Sequence, residues 1–109
     1  MPTFDRFQEF DIRVGTVLSA EPHPTARKPS IQLRIDFGEA GIKQSSAQLT
    51  ARYAPEVLVG RQVVAVLNFP PRRVAGFVSE VLVLGAMVSN SDVVLLQPES
   101  SVEDGTSIA

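Results

Sequence analysis

The chain has 109 residues, of which 44% are hydrophobic and 20% are charged, and its ten basic and twelve acidic side chains give a formal net charge of −2. This length fits one domain, and the ordinary composition excludes collagen-like and disordered chains. The absence of cysteine excludes disulfide frameworks, thiolate metal sites and cysteine nucleophiles.

The first predicted element is a short helix within residues 3–10. Phe4 and Phe7 are spaced three residues apart behind Thr3, a residue type that caps helices. We expect both phenylalanines to face the body of the domain or a second subunit. The sequence shows no targeting peptide and no apolar run long enough to insert into a membrane, so we expect a cytoplasmic protein.

Two strands are predicted in the next part of the chain. Apolar and polar residues alternate from residue 11 to 18, with a bulge or a sharp bend expected at Gly15. Residues 20–30 hold three prolines and are predicted to form a loop. Residues 31–37 alternate strictly between apolar and polar side chains, which is typical of a half-buried strand.

The middle of the chain predicts two more strands and a helix. Residues 38–41 fit a hairpin turn into a mostly polar third strand over residues 42–49. A helix is expected to begin near Pro55 and to end at Gly60. Residues 61–69 are rich in β-branched side chains and form a nearly continuous apolar run, which predicts a strand buried on both faces.

The last elements complete an all-β pattern. We expect a loop over residues 70–77, a fifth strand over 79–84, a turn over 85–91 and a short strand over 92–96, followed by a polar tail. Strands joined by short loops, with one helical segment after the third, indicate a five-stranded OB-fold β-barrel with short helical segments and terminal extensions. An SH3-like barrel is the alternative.

The sequence offers little for catalysis. Its one histidine, His23, lies between two prolines, and we expect it to cap a turn in a polar loop rather than to bind a metal. Carboxylates are scattered singly, and the glycines do not form a phosphate-binding motif. We therefore expect a protein that is not an enzyme and that has no metal and no cofactor.

The distribution of charge is more informative than its total. Residues 12–80 carry a net charge of +4, whereas the segments before and after them carry −2 and −4. One basic pair, Arg27 and Lys28, lies in the loop after the first strand, and a second, Arg72 and Arg73, lies in the loop after the fourth. In an OB barrel these loops flank the nucleic-acid face, so we expect phosphate contacts there. The alternative is that both pairs are simply solvated.

The third predicted strand is unusually polar. Its hydrogen-bonding side chains are suited to base edges or sugar hydroxyls of unpaired RNA, or else they mark an exposed edge strand kept polar against aggregation: Gln44, Ser45, Ser46 and Gln48. Phe77 and Tyr53 are candidates for base stacking, although core packing is the favoured role for each.

Five segments of the chain resemble a known family: DIRVG (11–15), HPTARK (23–28), IKQSSAQ (42–48), NFPPRRVAGFVSEVLVLG (68–85) and DVVLLQP (92–98). They are similar to the CsaA family of bacterial export-related chaperones. That family belongs to the wider tRNA-binding domain superfamily, which includes terminal domains of some methionyl-tRNA synthetases and EMAP II-like cytokines. The similarity covers roughly residues 4–108.

The resemblance implies a single tRNA-binding OB-fold domain over residues 1–109, with residues 1–10 and 97–109 as extensions at the interface of a homodimer. It also implies tRNA binding without catalysis, and a chaperone-like role toward exported proteins with contact to the SecA translocation motor. The alternative is a binding module for unfolded preproteins and SecA in which RNA binding is secondary. Carried over by motif, nine residues are expected at the RNA face: Arg13, Lys28, Lys43, Ser45, Asn68, Arg72, Arg73, Ser79 and Glu80.

Overall fold

The computed structural model describes all residues from 1 to 109 and contains two short helices and nine strands. In chain order the elements are α1 (Phe4–Phe7), β1 (Ile12–Pro22), β2 (Ile31–Asp36), a 3₁₀ turn (Gly38–Ala40), β3 (Ile42–Ala47), α2 (Pro55–Leu58), β4 (Gln62–Val66), β5 (Arg72–Val74), β6 (Phe77–Ser79), β7 (Leu82–Val83), β8 (Gly85–Ser89) and β9 (Asp92–Leu95). None of the helices is long and apolar enough to span a membrane.

The main sheet has five antiparallel strands in the order β3-β2-β1-β4-β7. It curls until β3 contacts the chain around β6 and β7, so the barrel is nearly closed. Two hairpins, β5-β6 and β8-β9, are attached to it. The structure therefore confirms the predicted all-β fold of OB type with five barrel strands.

Strand β1 is long enough to pair with two neighbouring strands. It pairs with β4 through residues 12–16 and with β2 through residues 16–22, and its register with β2 shifts between Val17 and Ser19. The irregularity thus lies a few residues beyond the predicted bend. Gly15 has a different role, since a Cβ atom there would lie 2.6 Å from the ring of Phe37. Glycine allows β1 to cross directly over this ring.

The core follows the predicted alternation. Ile31, Leu33 and Ile35 of β2 are fully buried together with Phe37, while the residues between them are more exposed. From β4, Val63 and Ala65 join the same core cluster. Val64 and Val66 alternate with these two residues along β4, point to the opposite face of the strand and are also buried. The predictions of a half-buried second strand and of a fourth strand buried on both faces are both confirmed.

The helices also form where the sequence predicts them. Pro55 occupies the first turn of α2, and Leu58 of this helix is buried in the core. Thr3 caps α1, because its hydroxyl accepts a hydrogen bond of 3.2 Å from the backbone N–H of Arg6. Phe4 is 72% exposed, so this helix does not bury it against its own chain.

Two predicted loops are wrong, because each contains a strand, and the loop predicted over residues 20–30 begins only after Pro22, where β1 ends. Residues 70–77 hold β5, and β6 begins within the same segment. The turn between them is formed by Ala75 and Gly76, whose φ angles of 47° and 84° suit a two-residue hairpin. The diproline before β5 points to a loop in the sequence, but it precedes the hairpin and does not interrupt it.

The predicted turn over residues 85–91 contains β8, which pairs with β9. Gly85 is required here by a close approach, since a Cβ atom would lie 2.4 Å from a methyl group of Val93. The predicted fifth strand over 79–84 is correspondingly shorter. Only residues 82 and 83 pair with β4, whereas the preceding residues bond to β3.

The C-terminal tail adds a strand-like edge to β1. Gly105 N–H donates to Val14 O at 2.7 Å, and Ile108 N–H donates to Ile12 O at 2.9 Å. The tail also lies directly on the turn after β2, where a Cβ atom on Gly105 would be 2.6 Å from Phe37 O. Backbone contacts therefore hold the tail on the barrel.

Candidate nucleic-acid interface

Four exposed cations occupy two loops of the structure. Arg27 and Lys28 lie in the loop over residues 23–30, and Arg72 and Arg73 lie in the β5-β6 hairpin. None of the four forms an ion pair with an acidic side chain. We call these four residues the basic rim.

The two loops that carry the basic rim touch each other. The hydroxyl of Thr25 donates a hydrogen bond of 3.2 Å to Ala75 O, at the turn of the hairpin. One basic pair follows Thr25 by two and three residues, and the other precedes Ala75 by the same spacing. The structure therefore joins the two predicted cationic segments at one contact.

The hairpin separates its two arginines. Arg72 pairs with Ser79 and Arg73 with Val78, so that their side chains project from opposite faces of the two-stranded ribbon. Arg72 lines a cleft that has a volume of about 560 Å³ and lies between β3 and the two hairpins. Half of the residues that line this cleft are hydrophobic, and Phe69 and Met87 are among them.

The polar side chains of β3 close the barrel. Ser45 is only 2% exposed, and its hydroxyl donates to Val81 O at 3.0 Å. The side-chain amide of Gln44 donates to Val78 O at 2.8 Å. Residues 78–81 thus contact β3 partly through side chains, and we call these contacts the barrel seam.

Backbone groups contribute to the barrel seam as well. Glu80 N–H donates to Gln44 O at 2.8 Å, and the Glu80 carboxylate accepts Gln44 N–H at 3.0 Å. The hydroxyl of Ser79 accepts Ser46 N–H at 3.1 Å. Strand β3 is an edge strand of the main sheet, and Ser79 and Glu80 satisfy backbone groups of Gln44 and Ser46 at that edge. Three residues expected at the RNA face, Ser45, Ser79 and Glu80, are therefore engaged within the fold.

Two further predicted site residues hold the N-terminal segment. The side chain of Asn68 accepts a hydrogen bond from Asp11 N–H at 2.9 Å and donates to Glu9 O at 2.7 Å. Arg13 Nε lies 2.7 Å from the Asp11 carboxylate. Arg13 is the second residue of β1, whereas the loop over residues 23–30 follows the end of this strand, so the structure places Arg13 far along β1 from that loop. Lys43 is half-buried near the start of β3.

The β8-β9 hairpin is fixed to the body by Arg52 and Tyr53. The Arg52 guanidinium makes two hydrogen bonds to Asp92, of 2.9 and 2.8 Å, which hold the pKa of the Asp92 carboxyl below its ordinary value. The pair is therefore intact at neutral pH and is lost as the pH falls through that lowered pKa. The Tyr53 hydroxyl accepts Leu95 N–H at 3.1 Å, and its ring packs on the core. Core packing, rather than base stacking, is the role of Tyr53.

Three residues outside the predicted set connect the loops: His23, Thr25 and Ser46. His23 is not a solvated loop residue, since it is only 6% exposed and its Nδ1 lies 3.0 Å from Ser46 Oγ. Its partners are distant in sequence, and the proline-flanked position gives no signal of burial. The contact of Thr25 with Ala75 is equally nonlocal, so sequence patterns do not reveal it.

Comparison with known proteins gives consistent matches. Residues 12–107 match the family model described as "Putative tRNA binding domain". The structure is similar to that of the chaperone CsaA from Bacillus anthracis, with 59% identity, a TM-score of 0.96, and coverage of 100% of this chain and 99% of that one. It also resembles the CsaA chaperone protein from Picrophilus torridus, with 43% identity, a TM-score of 0.91 and full coverage of both chains.

Longer proteins match as well. The methionine–tRNA ligase of Methanococcoides burtonii is 38% identical over 106 residues, which is 97% of this chain. The chain spans only 15% of the length of that curated relative. The similarity therefore concerns one part of the ligase.

We predict that Ser45→Ala lowers the free energy of unfolding by about 1–3 kcal/mol, because Val81 O loses its hydroxyl donor at a buried position. Chemical denaturation followed by circular dichroism measures the change. Ser101→Ala, at an exposed position in the tail, is the matched control and should change stability by less than about 0.5 kcal/mol. Equal stability of the two variants would contradict a closing role for Ser45.

Proposed function

Because the chain belongs to the tRNA-binding domain family, we propose that it binds tRNA without catalysing a reaction on it, and that the basic rim contacts the RNA phosphates. The observation that carries this proposal is the contact between Thr25 and Ala75, which joins the two exposed and unpaired basic loops. We further propose that the protein acts in the cytoplasm and that it requires no cofactor.

Electrostatics favour this surface despite the negative net charge. The segment from residue 12 to 80 has a net charge of +4, and the acidic residues are concentrated in the two ends of the chain. Cations that neutralise phosphates release condensed counterions from RNA, which makes the affinity depend strongly on salt. A protein of net charge −2 thereby presents a local cationic surface to a polyanion.

The nine residues carried over from the resemblance divide into two groups under this proposal. Lys28, Lys43, Arg72 and Arg73 are the cations proposed to contact phosphates. The others make the hydrogen bonds and the ion pair already described: Ser45, Ser79 and Glu80 hold the segment after the hairpin on β3, whereas Arg13 and Asn68 hold the N-terminal segment.

We expect the double variant Arg72→Ala, Arg73→Ala to bind tRNA about 10- to 30-fold more weakly near 0.1 M salt, because about two fewer counterions are released. The slope of log affinity against log salt should fall by one to two units, as estimated from the same relation. Filter binding over a salt series measures both quantities.

The matched control is Arg34→Ala with Arg61→Ala, which removes the same charge from exposed positions on β2 and before β4, outside the basic rim and the terminal extensions. This control should lose much less affinity. Unchanged affinity of the Arg72, Arg73 variant, or equal losses in the two double variants, would refute binding through the basic rim.

We also propose a homodimer whose interface includes the terminal extensions 1–10 and 97–109. The supporting observation is apolar surface at the N-terminal segment, where Phe4, Phe7 and Phe10 are all exposed in the single chain. Burying such rings against a second copy removes apolar area from water. Two copies present two basic rims to one folded RNA, which raises the apparent affinity through avidity.

Light scattering at micromolar concentration should give twice the mass of one chain. Phe4→Ser with Phe7→Ser should shift the mass toward one chain, because these substitutions remove exposed apolar area without opening the barrel. A monomeric mass for the unaltered protein would contradict the dimer.

A second candidate function is binding of unfolded preproteins in protein export, together with SecA. The specific observation in its favour is the exposed β8 strand, where Met87 and Val88 are 68% and 65% exposed. Adaptable apolar side chains of this kind suit variable apolar segments. The two solved relatives reported above are both described as chaperones.

The protein should suppress aggregation of a chemically denatured client at low molar ratio, and Met87→Ser with Val88→Ser should reduce that suppression because it removes apolar contact area. Turbidity after dilution from denaturant measures the effect. The Arg72, Arg73 variant is the control, since it removes charge and leaves β8 unchanged. Absence of suppression by the unaltered protein would exclude this second function.

A further inference from the structure

We propose that His23 is a positioning residue that couples the two basic loops, so that the basic rim acts as one preformed unit in RNA binding. This inference rests on the proposed function, because it concerns how the same surface is held. It assigns a role to the chain's one histidine, which is buried and is not itself part of the basic rim.

His23 contacts both loops and the barrel at once. Its backbone N–H donates to Ser30 O at 3.0 Å, which closes the base of the loop over residues 23–30. Its ring lies 5.6 Å from the ring of Phe77, at an interplanar angle of 59°. This distance lies within the range of favourable aromatic pairs. Because Phe77 begins β6, the histidine side chain packs directly on the hairpin.

Ser46 is the common anchor of this arrangement. Its hydroxyl is in hydrogen-bond contact with His23 Nδ1 at 3.0 Å, and its backbone N–H donates to Ser79 Oγ at 3.1 Å. One residue of β3 therefore holds the first basic loop through its side chain and the second through its backbone. Strand β3 therefore fixes the positions of both loops relative to the barrel.

The contact of Thr25 with Ala75 is a second link between the first loop and the hairpin, at the hairpin turn. Ala75 has a φ of 47°, which is uncommon for a residue with a side chain. Its carbonyl oxygen accepts the Thr25 hydroxyl at 3.2 Å. The first loop is thus held on the hairpin at two adjacent points, by Thr25 at Ala75 in the turn and by His23 at Phe77 directly after it. A preformed pair of loops loses less conformational freedom when RNA binds.

The burial of His23 separates its role from phosphate contact. A side chain that is 6% exposed does not present a charge to a polyanion at the surface. Its effect on binding must pass through the two basic loops, because its ring contacts Phe77 and its Nδ1 contacts Ser46. Loss of the His23 side chain should therefore weaken binding more while the hairpin still carries Arg72 and Arg73 than after these two cations are removed.

A double-mutant cycle tests this dependence. His23→Ala should weaken tRNA binding about fivefold in the unaltered protein, within the usual range for coupled sites. In the Arg72→Ala, Arg73→Ala background the same substitution should change affinity by less than about twofold. His23→Asn, which keeps a nitrogen or oxygen atom near the position of Nδ1, should restore part of the affinity.

Amide hydrogen exchange gives a direct structural readout. Residues 72–79 should exchange several-fold faster in His23→Ala, while residues 62–66 of β4 should be unchanged. Thr25→Val is a second variant that keeps the shape of an exposed side chain and removes only its hydroxyl. It should also accelerate exchange near Ala75 and weaken binding, and it keeps the test valid if His23→Ala fails to fold.

Two results would overturn the coupling. One is an equal loss of affinity when His23→Ala is introduced into the unaltered protein and into the Arg72→Ala, Arg73→Ala variant. The other is unchanged hydrogen exchange in the hairpin of both His23→Ala and Thr25→Val. Full affinity in both variants would also overturn it. Failure of the proposed function is distinguishable, because then the Arg72, Arg73 variant itself binds tRNA normally. The exchange measurement would still show whether the two loops are mechanically joined.

Discussion

The barrel depends on satisfying the free edge of β3. A curled sheet whose end strands do not pair leaves a row of backbone groups without partners, and burying such groups is costly. In this chain the opposite end strand, β7, has only two residues and does not form a ladder with β3. Glu80 and Ser79 instead bond to the backbone of Gln44 and Ser46, and the side chains of Gln44 and Ser45 in turn donate to the carbonyl groups of residues 78 and 81. The barrel seam replaces the missing ladder.

This way of closing the barrel also determines where the cationic side chains lie. Residues 78–81 follow the β5-β6 hairpin directly, so bonding them to β3 sets the position of the hairpin against the barrel. The loop over residues 23–30 reaches the same place from β1 and contacts the hairpin turn. The tail, which carries Glu103 and Asp104, is paired with the start of β1, whereas the loop over residues 23–30 follows the end of that strand. These two carboxylates therefore lie at the other end of β1 from Arg27 and Lys28.

Local patterns predicted the elements whose burial is periodic. The alternation through residues 31–37 gave β2, and the continuous apolar run after Gly60 gave a β4 that is buried on both faces. The two hairpins were missed, because a diproline and a Gly-Ser-Asn-rich segment are typical of loops, whereas the ribbons depend on pairing over short turns. Sequence also identified the two basic pairs, although Arg72 and Arg73 lie in β5 and not in a loop, and the contact of Thr25 with Ala75 that joins the two segments has no signal in the sequence. It did not reveal that Ser45 and Ser79 bond within the fold, because their partners are more than thirty residues away in the chain.

The tail contact with Phe37 is made from main-chain atoms, with Gly38 and Gly105 at closest approach. The geometry of such a contact does not depend on most of the nearby side chains, because hydrogen bonds from the backbone form with any residue type. The two glycines are the exceptions, because a Cβ atom on Gly38 would lie 2.3 Å from Asp104 O. Asp104 is a further exception, because its carboxylate accepts hydrogen bonds from the side chains of Thr16 and Gln62. Substitutions at other exposed tail positions can therefore change the charge of this end of the molecule while its attachment persists, provided that both glycines and Asp104 are retained.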